Sequence, residues 1–462
     1  MIYGVVPAAV AGLPQQEQAM LQKLINVFNN HAVKNAEKDR YYEGKISLAE
    51  VNLGLALPEK IKKLEIGCAW GEKAVDVLAA RSMFDGFVGA SGEQQESMQE
   101  IGTRNNLIFE YMKACKDELK FGCTFATLSQ DKNGLAVIRF HSPQTAAACW
   151  DGAKNRISYG MAVIDSTQNE NEIWMPTVIN LYTEDAIWQI YETADGWRAD
   201  EYPHKMGRPL MIPLVWNGTS KKPFGRSRIK EPVRRLMQGY VRTVANATIG
   251  LEFSTAPQKY ILGVTEEQYD QLINEKFRQY VGSIIASTTN PETGEKPTFG
   301  QLNQGTITPH VEMLRILSTQ FSAATGLSVT DTGVINNANP TSSDAILAQT
   351  QTLVLMAEQL NEGNGDALRQ IAILAQAIEA GRSPEDLDEE QLDVIAHFKN
   401  PAMPSVAVTA DAAIKIASAR QSFAQTDTFL EMIGFSQADI RRIKAQENRV
   451  RGLTFLQEIG EE

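Results

Sequence analysis

Thr124-Phe125-Ala126-Thr127-Leu128-Ser129-Gln130-Asp131-Lys132-Asn133-Gly134-Leu135-Ala136-Val137-Ile138-Arg139-Phe140 is the stretch that decides the fold class. Residues 124–128 and 135–140 read as two strands with period two. The Asp131-Lys132-Asn133-Gly134 tetrad between them reads as a tight turn, because Asn-Gly tolerates the positive φ angles that such turns need. The alternation continues downstream through 157–165, 177–183 and 186–192, with Ala194-Asp195-Gly196 as another turn, so residues 120–216 form a largely antiparallel β unit. Upstream the period is helical. Met20, Leu24, Val27 and Phe28 fall on one side of a helix over 15–38, and two further helices are expected over 74–80 and 106–119. Segregation of helices from antiparallel strands makes the class α+β and argues against an alternating parallel-sheet fold.

Beyond residue 216 the helical period returns from Gly225 to about Phe253 and stops before Pro257, since proline lacks the amide donor a helix interior needs. A small αβ excursion follows: a strand at 259–262, a helix opening on Thr265-Glu266-Glu267-Gln268 in a capping-box arrangement, a second strand at 283–288, and an exposed loop over 290–297. Thr308-Pro309 opens another helix with Leu314, Leu317, Phe321 and Ala324 on one face, and Gly326 is its stop signal. Residues 327–340 are a polar loop. Thr341 and Asp344 cap a long helical segment to Ala380 that is expected to break at Glu362-Gly363-Asn364-Gly365. The acidic run 385–393 reads as a solvated face, and 410–459 is helical by pattern.

The chain has 462 residues, enough for about three domains. Hydrophobic residues make up 43 % and charged residues 22 %, which marks a folding globular chain and not a disordered one. The net charge of −12 argues against general, sequence-independent affinity for nucleic acid. Its distribution is uneven. From Arg208 to Arg242 there are nine basic residues against one acid, Glu231, a net +8 that leaves −20 elsewhere. Such a block suits phosphate contact, pairing with acidic surface in a subunit interface, or plain solvation. Four cysteines without a Cys-x-x-Cys pair suggest neither a zinc module nor a disulfide framework. No apolar run reaches the ~18 residues that span a bilayer, and the apolar stretch 5–13 lacks the charged head of a secretory signal, so a soluble chain without targeting segment or membrane contact is expected.

Leu64-Glu65-Ile66-Gly67-Cys68-Ala69-Trp70-Gly71 is similar to the first motif of S-adenosylmethionine-dependent methyltransferases, in which small residues let backbone approach a cofactor at a helix N-terminus. An enzyme reading would use Glu65, Gly67 and Gly71; the competing reading is a packed helix through Val75, Val77 and Leu78. A third reading is a DNA-binding adaptor built on the basic block. There is no Gly-x-x-x-x-Gly-Lys phosphate loop and no His-Glu-x-x-His pair, and the five histidines are widely spaced. No cofactor or metal is expected.

Taken in order, Arg40-Tyr41-Tyr42-Glu43-Gly44, Val75-Asp76-Val77-Leu78-Ala79, Phe84-Asp85-Gly86-Phe87, the 121–140 hairpin, Gly207-Arg208-Pro209-Leu210-Met211-Ile212-Pro213-Leu214, Gly225-Arg226-Ser227-Arg228-Ile229, Asn339-Pro340-Thr341-Ser342-Ser343-Asp344-Ala345 and Ala410-Asp411-Ala412-Ala413-Ile414-Lys415 resemble the portal, or connector, proteins of tailed double-stranded-DNA bacteriophages from about residue 20 to about 450. The resemblance implies a non-enzymatic subunit of a ring of about twelve copies, placed at a capsid vertex of the virion and assembled in the host cytoplasm. It implies a wing over 1–225 and again over 341–400, stem helices at 226–253 and 308–326, a clip at 254–307, a tunnel loop at 327–340 and a crown at 401–462. It implies passage of double-stranded DNA beside Thr330, Asp331, Asn336, Asn337 and Asn339, and DNA or inter-subunit contacts at Lys230, Arg234, Arg235 and Arg242. Docking of the terminase large subunit and of a head–tail adaptor would fall on Glu266, Glu267, Glu292, Glu295 and Lys296, with major capsid and scaffolding proteins as further partners. One departure is Gly239-Tyr240, where related stem helices often carry an acid.

Overall fold

A computed structural model describes residues 9–48, 66–89, 95–168, 170, 174–255, 259–262, 294, 296, 298–301, 306–334, 343–402, 406–435, 439–440 and 442–450. In chain order the elements are α1 (Gln15–Tyr42), β1 (Lys45–Ile46), β2 (Ile66–Gly67), α2 (Trp70–Ala79), β3 (Phe84–Val88), α3 (Glu96–Arg104) and α4 (Leu107–Phe121). Strands β4 (Cys123–Gln130), β5 (Ala136–His141), β6 (Ala146–Asp151), β7 (Arg156–Gln168), β8 (Trp174–Tyr182), β9 (Ala186–Thr193), β10 (Gly196–Pro203) and β11 (Met211–Val215) follow. Then come α5 (Glu231–Thr255), β12 (Lys259–Leu262), β13 (Thr298–Gln301), α6 (Thr308–Thr325), a 3-10 turn (Val329–Thr332), α7 (Ser343–Ala380), a second 3-10 turn (Pro384–Asp386), α8 (Glu389–Leu392), β14 (Ile395–Phe398), α9 (Val406–Ala419) and α10 (Asp427–Ile433).

The 124–140 hairpin forms as expected, β4 against β5, with Asp131 Oδ1 accepting from the Asn133 and Leu135 amides to hold the turn. Strand β11 joins β4 on its other side to make a three-stranded antiparallel sheet. The remaining strands of the region form a second antiparallel sheet, ordered β10-β9-β8-β7-β6. Because successive side chains in a strand point to opposite faces, this sheet separates two cores. Ala147, Met161, Leu181 and Trp188 point to one face, where Leu21, Leu24, Ile25 and Phe28 of α1 cover them. Ala146, Ala148, Ala162, Tyr182 and Ile187 point to the other and join the main core with α2, α4, the three-stranded sheet and α7.

Two expectations are corrected. Helix α7 runs unbroken from Ser343 to Ala380 through Gly363-Asn364-Gly365. Two internal glycines cost about 1 kcal/mol each relative to alanine, but buried Leu353, Ala357 and Leu360 on one side and Leu368, Ile371 and Ala375 on the other anchor the helix across them. The helix after Gly225 starts only at Glu231, because Arg226, Ser227 and Arg228 bond backbone and side chains of other segments. The strand at 259–262 and the helix from Thr308 are present as read. Gly326 caps that helix at φ +74°, in the left-handed region that favours glycine. The expected helix near Thr265 and strand at 283–288 lie outside the described residues; β12 pairs antiparallel with β13.

Candidate functional site

The methyltransferase reading is overturned. Glu65 lies outside the described residues; the described part of its strand, Ile66–Gly67, pairs antiparallel with β1, and β3 pairs antiparallel with β14, so neither is seen in a parallel cofactor-binding sheet. Gly71 is small for another reason: a Cβ there would lie 2.1 Å from the Tyr41 carbonyl oxygen, so α2 abuts the end of α1 directly. The neighbouring Trp70, 3 % exposed, is the hub of this region. Its ring packs at 4.8 Å from Tyr240 of α5 and 4.7 Å from Phe321 of α6, and its Nε1–H donates to the Thr332 carbonyl at 3.1 Å. A sequence motif suggestive of a cofactor is thus the clamp between the paired helices α5 and α6. Gly239 contributes to the same pairing, since a Cβ there would meet Leu317 of α6 at 3.1 Å.

The polar segment after α6 begins as an ordered turn. Ser328 and Asp331 form a capping box, Thr330 is exposed with its hydroxyl 2.6 Å from that of Ser328, and buried Thr332 shares a 2.6 Å hydrogen bond with Ser318 of α6. Asn336, Asn337 and Asn339 lie outside the described residues, as do Glu266, Glu267, Glu292 and Glu295; Lys296 is exposed.

The basic block divides by burial. Arg228 is 5 % exposed and works inside the fold. Its Nη2 donates to the Thr325 carbonyl at the C-terminus of α6, its Nε donates to the Ala74 carbonyl of α2, and the guanidinium lies 5.8 Å from the Trp216 ring. Burial, with no carboxylate partner among the described residues, pulls its pKa down to about 10. The negative end of the α6 dipole supplies a compensating field. Arg234 pairs with Glu37 of α1 and Glu231, Arg235 pairs with Glu231 at 3.0 Å, and Arg208 donates to Gln370 of α7 at 3.0 Å. Arg242 is half-buried along α5. Lys222, Arg226 and Lys230 stay exposed around a cleft of about 790 Å³ between α1 and the approach to α5, and Lys34 of α1 joins them there. Sequence spacing could not bring Lys34 into this group, because it lies almost two hundred positions away.

A second polar cluster also escaped sequence reading. Glu118 of α4 is fully buried, and Asn364, inside the glycine pair of α7, donates to its Oε2 at 2.7 Å and to Tyr111 Oη at 2.9 Å. Ser82 completes the cluster at 2.7 Å from Tyr111. Burial pushes the Glu118 carboxyl up to about 8, while Asn364 partly opposes it. Burial likewise pulls the His141 imidazole down to about 4, beside Thr127 at 3.0 Å. Among the described residues no group of three or more His, Cys, Asp or Glu could hold a metal ion, and no helix is long and apolar enough to cross a membrane.

Against known proteins, residues 21–452 match the family model described as phage portal protein, SPP1 Gp6-like. A portal protein of Mycobacterium phage D29 is 23 % identical over 470 residues, covering 96 % of this chain and 93 % of that one. Among solved structures, a chain from the neck of a native GTA particle computed with C12 symmetry aligns with 79 % of this chain and 89 % of its own at 11 % identity and a TM-score of 0.44. A chain from the neck of an empty GTA particle computed with C6 symmetry aligns with 87 % and 98 % at 12 % identity and a TM-score of 0.45.

Proposed function

The chain belongs to the family of SPP1 Gp6-like phage portal proteins, and we propose from that premise that its copies close into a ring whose channel carries double-stranded DNA during packaging and ejection. The observation that carries this reading is the family match over 21–452, nearly the whole chain. The role is structural. The paired helices α5 and α6 are the candidate stem, and they leave Leu251, Val311, Met313 and Ile316 exposed on a single chain, apolar surface that a neighbouring copy would cover. The segment after α6, held at its start by Trp70 and Ser318, is the candidate tunnel loop, with Thr330, Asp331, Asn336, Asn337 and Asn339 toward the channel. Residues 254–307 are the candidate clip, with Glu266, Glu267, Glu292, Glu295 and Lys296 offered to the terminase large subunit and then to a head–tail adaptor. The wing faces the major capsid and scaffolding proteins at the virion vertex.

An acidic chain suits this task. Each phosphate neutralised by a lysine or arginine adds salt-dependent affinity that would hold DNA in place, and here Arg228 and Arg234 are engaged within the fold. Sedimentation of the purified chain tests the reading: a closed multimer of about twelve copies is expected, whereas a monomer at every concentration would refute it.

A further inference from the structure

The cleft that gathers Lys34, Lys222, Arg226 and Lys230 has no assigned role. Its two acids are already engaged, Glu37 by Arg234 and Glu231 by Arg234 and Arg235, while the four cations form no ion pair with a described residue. Its floor is apolar: Phe224 packs edge-on against Phe125 at 5.7 Å. The opposite charge lies elsewhere on the same chain. Around the second 3-10 turn and α8, Glu385, Asp386, Asp388, Glu389 and Glu390 put five acids into six positions, all exposed and none ion-paired to a described residue. A capping box between Asp388 and Gln391 and burial of Leu387 hold this ridge in shape.

We propose that the cationic cleft of one copy receives the acidic 385–390 ridge of the next copy. A patch of one sign cannot face itself across a two-fold axis, because like charges would meet; its partner must be a different patch, and that is the head-to-tail geometry that closes into rings. Exposed ion pairs are weak singly and are screened by salt. A ring repeats the set at every junction, and reversing one side turns attraction into repulsion. The inference rests on the ring reading above.

The test uses two full-length variants, one carrying Lys222→Glu, Arg226→Glu and Lys230→Glu, the other Glu385→Lys, Glu389→Lys and Glu390→Lys. Assembly is followed by mass photometry across protein concentration at low salt, beside the unmodified chain. Each variant alone should need about tenfold more protein or more to assemble, and an equimolar mixture should return to within about threefold of the unmodified chain, because alternating copies restore every junction. Recovery on mixing also shows that both variants are folded. The proposal is overturned if either variant assembles alone as the unmodified chain does, or if mixing restores nothing. It is also overturned if assembly is unchanged while the cleft variant loses salt-dependent binding of double-stranded DNA, which would make the cleft a DNA surface. If the unmodified chain itself forms no multimer, the ring reading falls, and this contact with it.

Discussion

Replacing Glu118 by glutamine gives a sign and a magnitude that follow from burial alone. In the folded chain the carboxyl keeps its proton up to about pH 8, whereas an unburied glutamic acid releases it near 4.5. Folding between these values therefore takes up a proton. The raised pKa contributes stability that is fully present below about pH 4.5 and is lost as pH rises through about 8. With about 1.4 kcal/mol per pH unit across that window, the loss is under about 1 kcal/mol at pH 5 and approaches about 4 kcal/mol at pH 7.5. Glu118→Gln removes the titration while its amide oxygen still accepts from Asn364 in place of the carboxylate Oε2. Urea unfolding of both proteins at one concentration and at both pH values should show the glutamine variant gaining on the parent by about 3 kcal/mol from pH 5 to pH 7.5. The comparison cancels other titrating groups and any contribution from assembly. A stability difference that stays the same at the two pH values would show that the carboxyl ionises in the fold as it does in water, and the burial argument would be refuted.

Three further outcomes are expected. Arg228→Met keeps an apolar stem but deletes the charge-assisted bonds to the Ala74 and Thr325 carbonyls. At about 1.5–3 kcal/mol each, offset by relief from burying a charge, a net loss of about 2–4 kcal/mol is expected in the same unfolding assay. Gly71→Ala forces a methyl into the Tyr41 carbonyl and should cost about 1–3 kcal/mol, read as a lowered melting temperature; an unchanged melting temperature would show that α1 and α2 do not abut. Replacing Glu266 or Glu267 by alanine should impair motor docking in a packaging assay while multimers still form, and normal packaging in both variants would move the docking surface elsewhere.

Legibility of the chain followed the range of the interactions involved. The 124–140 hairpin, the helix after Thr308 and its Gly326 stop rest on local periodicity and turn chemistry, and each is present. Helix α7 defied its glycines because burial on distant strands outweighs intrinsic propensity, a term no local window contains. The same limit explains the site. The small residue at Gly71 signalled close backbone approach correctly, but what approaches it is the Tyr41 carbonyl and not a cofactor, and at Gly67 a Cβ would meet nothing within 4 Å. The basic block was visible as a run, yet its division into internal Arg228, paired Arg234 and exposed Lys230 depends on partners at positions 37, 74 and 325. The Glu118–Asn364–Tyr111 cluster joins residues up to 253 positions apart and carries no sequence signature.

Electron microscopy of the purified chain is the most direct test of the central claim. A closed ring with a central channel, bounded by the paired helices α5 and α6 of successive copies, is the result the account predicts. Particles that remain single copies at high concentration, or that form multimers without a through-channel, would contradict it.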